Sequence, residues 1–259
     1  MRRLGVLAAL SMGNLAFLYV PIVVLVVFSF NASRLSAAWT GFTTDWYLQL
    51  ATDASLRAAV KNSLIVAVVS TAIAAVLGVA AAVGLDHPAV RRRRLIEGAM
   101  LLPLLVPEVT LGVALMLFFV TIRVPLSLVT VTLGHAAFNL PVVMVIVQAR
   151  LRKMDPGLVE AAYDLGASPW QAFRRVTLPL LAPAIAGGVL MAFTISLDDF
   201  IVTFFTGGPG STTLPLKVYS MIKSGLSPEI NALSAVLVVL SMALVALAAM
   251  LQRDKTRRP

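Results

Sequence analysis

The amino-acid sequence predicts an all-α membrane protein with six transmembrane helices and both termini on the cytoplasmic side. Three observations carry that prediction. Hydrophobic residues make up 59% of the 259-residue chain and charged residues 13%, with a mean hydropathy of +0.92. A soluble domain holds about 45–50% apolar and about 25% charged residues, and needs the charges to cover its surface in water. Six stretches are long and apolar enough to cross a hydrocarbon layer of about 30 Å, which takes roughly 20 residues at about 1.5 Å each. Finally, the basic residues divide unevenly between the two sets of connecting segments.

The six stretches run approximately Ala8–Phe30, Ser63–Leu85, Gly98–Val120, Leu128–Gln148, Ala182–Phe205 and Asn231–Leu251. The first follows Arg2 and Arg3, and at about 23 residues it exceeds the roughly 7–15 of a signal-peptide core, so it reads as a retained anchor. The third contains Pro103, Pro107 and Glu108, and its prolines are expected to kink it so that Glu108 meets the bundle interior. The fifth carries Asp198 and Asp199 in its outer half.

Orientation follows from the connecting segments. The N-terminus, Asp86–Glu97, Ala149–Leu181 and the C-terminus hold Arg2, Arg3, Arg91 to Arg94, Arg150, Arg152, Lys153, Arg174, Arg175, Arg253, Lys255, Arg257 and Arg258. The segments Asn31–Asn62, Thr121–Ser127 and Thr206–Ile230 hold only Arg34, Arg57, Lys61, Arg123, Lys217 and Lys223. Positively charged loops stay in the cytoplasm, so the first set is cytoplasmic and the net charge of +9 is mainly an orientation signal. The run Arg91 to Arg94 is read the same way, with some contact to anionic lipid rather than a nucleic-acid patch.

The chemistry missing from the sequence excludes several classes. With no cysteine there is no disulfide framework, thiolate metal site or cysteine nucleophile. No phosphate-binding GxxxxGK[ST] loop, GxSxG elbow or HExxH pair occurs. His87 and His135 are far apart and lack second ligands at metal spacing, so no metal site is expected. His135, near the outer start of the fourth span, reads as a packing or hydrogen-bonding residue. Gly207-Gly208-Pro209-Gly210 reads as a tight turn. The chain is expected to be a non-catalytic component that binds no cofactor itself.

The cytoplasmic segment 149–181 is too polar for membrane and well punctuated. Asp155-Pro156 reads as an N-cap followed by proline at the first helical position, and Gly166 suits the left-handed C-cap after Glu160-Ala161-Ala162. Ser168-Pro169-Trp170-Gln171 repeats the start signal as a capping box, and Leu178-Pro179 and Pro183 are expected to redirect the chain into the fifth span. Two short capped helices with small Ala161, Ala162 and Gly166 suit either a docking element or a surface hairpin.

The pattern Glu160-Ala161-Ala162, three residues, Gly166, nine residues, Val176, one residue, Leu178-Pro179 resembles the EAA loop of ABC-transporter permeases, EAA-x3-G-x9-I-x-LP, with valine for isoleucine as its departure. The resemblance implies a type I ABC importer permease fold. It implies that Glu160, Ala161, Ala162, Gly166, Leu178 and Pro179 belong to coupling helices seated in a separate ATPase subunit, where ATP and Mg bind.

A second set of residues resembles the C-type permease subunit of spermidine/putrescine importers. It comprises Trp39-Thr40-Gly41-Phe42, Trp46-Tyr47, Asn62-Ser63-Leu64, Ser196-Leu197-Asp198-Asp199-Phe200, Gly208-Pro209-Gly210, Thr213-Leu214-Pro215, Tyr219-Ser220-Met221 and Ser227-Pro228-Glu229-Ile230-Asn231-Ala232-Leu233. The implied partners are a second homologous permease, two ATPase subunits, an extracytoplasmic substrate-binding protein and membrane lipid, with no nucleic acid. The implied location is the bacterial inner membrane.

The residues agree with a cationic cargo. A charge near the bilayer centre costs about 2.5–3.5 kcal/mol on insertion scales, so Glu108, Asp198 and Asp199 should face a wet pathway or a partner. Adjacent helical residues point about 100° apart, so one aspartate is expected to line the pathway while the other faces a neighbouring helix. Phe200, Phe204 and Tyr219 are candidates for cation–π contacts to ammonium groups. A competing reading has the aspartates hydrogen-bonding backbone groups at a helix break, or pairing with a basic residue of the partner. Two alternatives for the whole protein stand beside this one. One is the same machine with ferric ion, thiamine, an opine or a phosphonate as cargo; the other is a secondary carrier or channel using the three carboxylates as a cation relay. The outer segments Asn31–Asn62 and Thr206–Ile230, with Trp39, Trp46 and Tyr47, are expected to receive the binding protein.

Overall fold

The computed structural model describes residues 2–33, 38–87, 90–225 and 227–256. Arg34, Arg257 and Arg258, which enter the charge asymmetry, lie outside the described residues. The helices are α1 (Arg2–Phe28), α2 (Asp45–Thr52), α3 (Ala54–Asp86), α4 (Arg93–Leu105), α5 (Glu108–Thr121), α6 (Leu128–Leu151), α7 (Gly157–Asp164), α8 (Pro169–Ala172), α9 (Leu178–Asp198), α10 (Ile201–Thr206), α11 (Leu214–Ser224) and α12 (Pro228–Thr256). Among the described residues, the helical stretches Leu10–Phe28, Ala54–Asp86, Leu128–Leu151 and Pro169–Asp198 are long and apolar enough to cross a membrane, and the bent pair α4–α5 adds a fifth crossing if taken as one span. The apolar stretch Pro228–Ala243 of α12 is shorter.

The third and fifth apolar stretches differ from the sequence expectation. The third is broken outright, with α4 and α5 meeting at 106°. Pro107 has no N–H to donate and its ring disfavours helical backbone in the preceding residue, so Val106 is extended at φ −78°, ψ 137°. The fifth begins earlier and stops earlier than Ala182–Phe205. A π-helical turn at Phe173–Thr177 joins α8 to α9, and this helical run of 30 residues ends at Asp198. Pro179 and Pro183 therefore do not redirect the chain. Pro179 stands in the first turn of α9, directly after the π turn, and Pro183 lies inside α9 without ending it.

The structure divides into two compact units, Met1–Leu56 with Val218–Pro259, and Arg57–Lys217. In the first, α12 packs on α1 and α2. Trp46 is buried, and its indole N–H donates to the Asn31 carbonyl at 2.8 Å. The Tyr47 hydroxyl lies 2.6 Å from Ser29 Oγ, and Phe30 stacks on Phe42 at 5.2 Å between ring centroids. Trp46 and Tyr47 thus hold the segment after α1 in place, while Trp39 and Phe42 remain exposed.

In the second unit the core lies between α3, α6 and α9, built from Ala74, Ala82, Leu85, Val143, Met144, Val147, Leu181 and Ala192. Small residues allow that approach, as expected where packing rather than water exclusion joins helices. A Cβ on Gly78 would meet the Leu140 carbonyl and Val143 at 2.9 Å, and one on Gly188 would meet the Val143 backbone at 3.4 Å. Asn62 Nδ2 donates to the carbonyls of Gly210 (2.9 Å) and Thr212 (3.0 Å), and Ser63 Oγ accepts from Leu214 N–H at 2.8 Å. The glycine-rich turn is closed by Gly208 N–H donating to Ser211 Oγ at 2.6 Å. A Cβ on Gly208 would overlap the Leu126 carbonyl. Gly208→Ala is expected to destabilise this unit by about 1–3 kcal/mol, the usual cost of overpacking. Gly84→Ala, where a Cβ meets nothing within 4 Å, is expected to be neutral or slightly stabilising. Thermal unfolding of the two variants in detergent, side by side, measures the difference.

Candidate functional site

Two helix breaks face one cavity. The first is Val106-Pro107, after which Glu108 is the opening residue of α5. The second is Asp199-Phe200: Asp199 takes extended backbone at φ −65°, ψ 124°, which ends α9 at Asp198, and α10 restarts at Ile201. The cavity between them has a volume of about 590 Å³. Its walls are Pro103, Leu104 and Val106 at the end of α4, Glu108 and Leu111 of α5, Phe138 and Val142 of α6, and Ile195, Asp198, Asp199, Phe200, Ile201 and Val202 around the second break.

The two aspartates differ in environment because the helix stops between them. Asp198 is exposed, as is Glu108, and neither has a hydrogen-bond or ion-pair partner among the described residues. The Asp199 side chain is only 6% exposed. Its Oδ1 accepts from Val202 N–H at 3.3 Å, and its Oδ2 accepts from Thr203 N–H at 3.0 Å and the Thr203 hydroxyl at 3.2 Å. Those are the donors that a capping aspartate satisfies at a helix start. Asp199 therefore follows the hydrogen-bonding reading of the sequence, and Asp198 presents an unpaired carboxylate to the cavity.

The short α10 is held in a fixed place. A Cβ on Gly112 of α5 would meet Phe205 at 2.8 Å, and one on Gly134 of α6 would meet Val202 at 2.9 Å. Thr130 Oγ1 donates to the Thr206 carbonyl at 2.8 Å. Behind the cavity wall runs a buried polar chain centred on His135, which the sequence marks as a packing or hydrogen-bonding residue without showing its partners. His135 lies 2.7 Å from Ser196 Oγ through Nδ1, and 2.9 Å from Thr203 Oγ1 and 3.1 Å from Asp199 Oδ2 through Nε2. Ser196 Oγ lies 3.2 Å from Ser70 Oγ of α3. The one available signal was a histidine inside an apolar span; nothing in the sequence marks Ser70 or Thr203 as its associates.

The aromatic candidates divide. Phe200 lines the cavity. Phe204 is half exposed, with its ring centroid 5.6 Å from that of Phe200, but it is not a lining residue. Tyr219 lies in the other unit, exposed on α11.

The segment 149–181 folds into a capped hairpin. Asp155 Oδ1 accepts from Gly157 N–H at 2.9 Å, starting α7. Gly166 ends it at φ +83°, with Gly166 N–H bonding the Tyr163 carbonyl at 2.9 Å and Ala167 N–H the Ala162 carbonyl at 3.0 Å. This is the paired closure of a helix on a left-handed glycine. Ser168 and Gln171 cap each other reciprocally at the start of α8. Glu160, Ala161 and Gly166 are exposed, as is Pro179, while Ala162 and Leu178 are half-buried. Tyr163, Leu165 and Trp170 are exposed, Leu165 to 89%. Trp170, Phe173 and Leu178 also line an apolar groove of about 710 Å³ with Val76, Val79 and Val83 of α3.

Comparison with known proteins agrees with this architecture. The chain is 40% identical over 242 residues to the spermidine/putrescine transport system permease protein PotC of Escherichia coli K12, covering 93% of this chain and 92% of PotC. It is 40% identical over 230 residues to the putrescine transport system permease protein PotI of the same organism, covering 85% of this chain and 81% of PotI. In fold it resembles a chain of the bacterial alginate ABC transporter solved with its alginate pentasaccharide-bound periplasmic protein, with a TM-score of 0.74 at 18% identity over 99% of this chain and 96% of that one. It also resembles a chain of the inward-facing MetNI methionine ABC transporter, with a TM-score of 0.66 at 20% identity over 83% of this chain and 100% of that one. Residues 74–255 match the family of binding-protein-dependent transport system inner membrane components. The protein is thus a multi-pass membrane protein and belongs to the permease family of binding-protein-dependent ABC importers.

Proposed function

We propose that this chain is a translocation subunit through which an ATP-driven importer passes a polyamine. The observation that supports this most is the pair of carboxylates, Glu108 and Asp198, unpartnered among the described residues, at two helix breaks facing one cavity beside Phe200. A polyamine carries several ammonium groups separated by methylenes. Carboxylates in a partly desolvated cavity attract the ammoniums, the apolar walls accept the methylenes, and an aromatic face adds about 0.5–2 kcal/mol of cation–π attraction. The printed substrates of PotC and PotI point the same way. An anionic cargo would meet two like charges, and membership of a binding-protein-dependent family argues against the secondary-carrier alternative.

In this proposal the chain crosses the bacterial inner membrane six times, with α4–α5 as one broken crossing, α12 as the last, and both termini cytoplasmic. It binds no cofactor; ATP and Mg sit on two separate ATPase subunits. A second, homologous permease completes the pathway as a heterodimer. The exposed side chains Tyr163 and Leu165 lie outside the apolar stretches and Trp170 at the very start of one, so in this proposal they meet cytoplasmic water and suit a protein surface such as an ATPase cleft. The binding protein docks on the outer segments, where Trp39, Phe42 and Tyr219 are among the exposed aromatics.

Proteoliposomes holding the complete complex should accumulate labelled spermidine only with the binding protein outside and ATP inside. Accumulation without ATPase subunits would sink the mechanism, and absence of spermidine and putrescine binding to the cognate receptor in calorimetry would sink the cargo.

A further inference from the structure

The buried polar chain behind the cavity has no part in the reading just given. His135 is 1% exposed, yet both of its ring nitrogens are engaged, and they reach two helices and the break between them. Nδ1 meets Ser196 of α9 at 2.7 Å, while Nε2 meets Thr203 of α10 at 2.9 Å and Asp199, in the break between the two helices, at 3.1 Å. A carboxylate oxygen only accepts, so the contact to Asp199 requires the proton on Nε2. With that proton placed, Ser196 holds the other side of the ring, and Ser70 in turn holds Ser196 at 3.2 Å. With contacts at both nitrogens the ring is held from two sides, and its one Nε2–H is shared between Thr203 Oγ1 at 2.9 Å and Asp199 Oδ2 at 3.1 Å. That oxygen already accepts from the Thr203 N–H and hydroxyl.

We propose that His135 is a positioning residue for transport: it holds the Asp199 carboxylate against the first turn of α10, which fixes the break and presents Asp198 to the cavity as the carboxylate that meets the cargo. The inference rests on the polyamine-pathway reading above. Physically, Asp199 is a buried charge that tolerates burial because two backbone N–H groups, a hydroxyl and an imidazole N–H surround it. Removing the imidazole donor loosens a connection that runs from Asp199 to α6, an element not adjacent to it in sequence. Asp198, one residue before, then loses its fixed direction, and misplacement by about 1 Å is enough to lose much of a positioned interaction.

The test is a double-mutant cycle in the complete complex, reading spermidine uptake at saturating loaded binding protein. Asparagine at position 135 keeps a donor or acceptor at the Nδ1 side but does not reach Asp199; glutamine places an amide nitrogen near the Nε2 position. His135→Asn is expected to lower uptake about tenfold, and His135→Gln to recover most of it. Combining His135→Asn with Asp199→Asn should be no worse than the poorer single variant, because the two act through one contact. Effects that multiply to about a hundredfold, or a glutamine variant as poor as the asparagine one, would overturn the proposal. Loss of assembled complex in both position-135 variants would assign His135 to packing and overturn it too. If His135→Asn alone fails to assemble, Thr203→Val, which removes the hydroxyl donor to the same oxygen, takes its place in the cycle under the same criteria. A wild-type complex that moves no polyamine overturns the pathway reading and this inference together, whereas multiplying effects in a working transporter overturn the positioning role alone.

Discussion

Asp198→Asn is expected to reduce polyamine uptake by about 10–100-fold while leaving the complex assembled. A hydrogen bond to a charged group contributes about 1.5–3 kcal/mol, and each 1.4 kcal/mol is a factor of ten, which sets that range. The substitution is nearly isosteric, Asp198 is exposed, and it has no partner among the described residues whose loss would disturb the fold. Its effect should therefore be confined to the cavity. Glu108→Gln should act in the same direction, since Glu108 stands on the same cavity wall with an equally unpaired carboxylate. Co-purification of all subunits together with initial uptake rates measures both parts of the expectation. Failure of Asp198→Asn to assemble would instead point to an ion pair between Asp198 and a basic group of the second permease.

Gly166→Val is expected to lower uptake and receptor-stimulated ATP hydrolysis at least tenfold. Gly166 sits at φ +83°, where a β-branched side chain collides with its own backbone; the left-handed conformation costs an ordinary L-residue about 1–2 kcal/mol and a branched one more. A valine would open the closure in which Gly166 and Ala167 bond the carbonyls of Tyr163 and Ala162. The direction of α8 relative to α7 would then change, and with it the surface formed by Leu165 and Trp170. A Cβ at Gly166 itself meets nothing within 4 Å, so the effect comes from backbone conformation and not from crowding. Gly166→Asn should be milder, because asparagine enters the left-handed region more readily. Comparing ATP hydrolysis with and without loaded binding protein for the two variants separates uncoupling from loss of the ATPase. Equal coupling in Gly166→Val and wild type would refute the docking role.

Sequence periodicity and punctuation reached the helical elements well, because they depend on neighbours three to five residues apart. The caps at Asp155, Gly166 and Ser168 appear in the structure as hydrogen bonds of the expected kind. Proline was less transparent. Pro107 breaks its helix completely, while Pro179 and Pro183 lie inside a continuous run that a π turn at Phe173–Thr177 joins to α8, and no local pattern announced that turn. The cavity was legible in part: Glu108, Asp198, Asp199 and Phe200 were marked by charge and position in apolar stretches, and the fold brings all four to one space. Tyr219 was marked by proximity in sequence alone, and the fold places it in the other unit.

By itself the sequence determined that the chain is helical and lives in lipid, that the segment 149–181 is a capped hairpin, and which few carboxylates are too costly at membrane depth to be accidental. Those properties follow from composition, from the 3.6-residue period and from the energy of a charge in hydrocarbon. Only the tertiary structure decided that Asp198 faces the cavity while Asp199 caps α10. It also decided that His135, 61 residues before Ser196, and Ser70, 126 residues before it, join in one polar chain. Such roles depend on which side chains lie opposite one another across helices far apart in the chain, and that is set by packing of small residues such as Gly112 and Gly134 against α10, not by any local pattern.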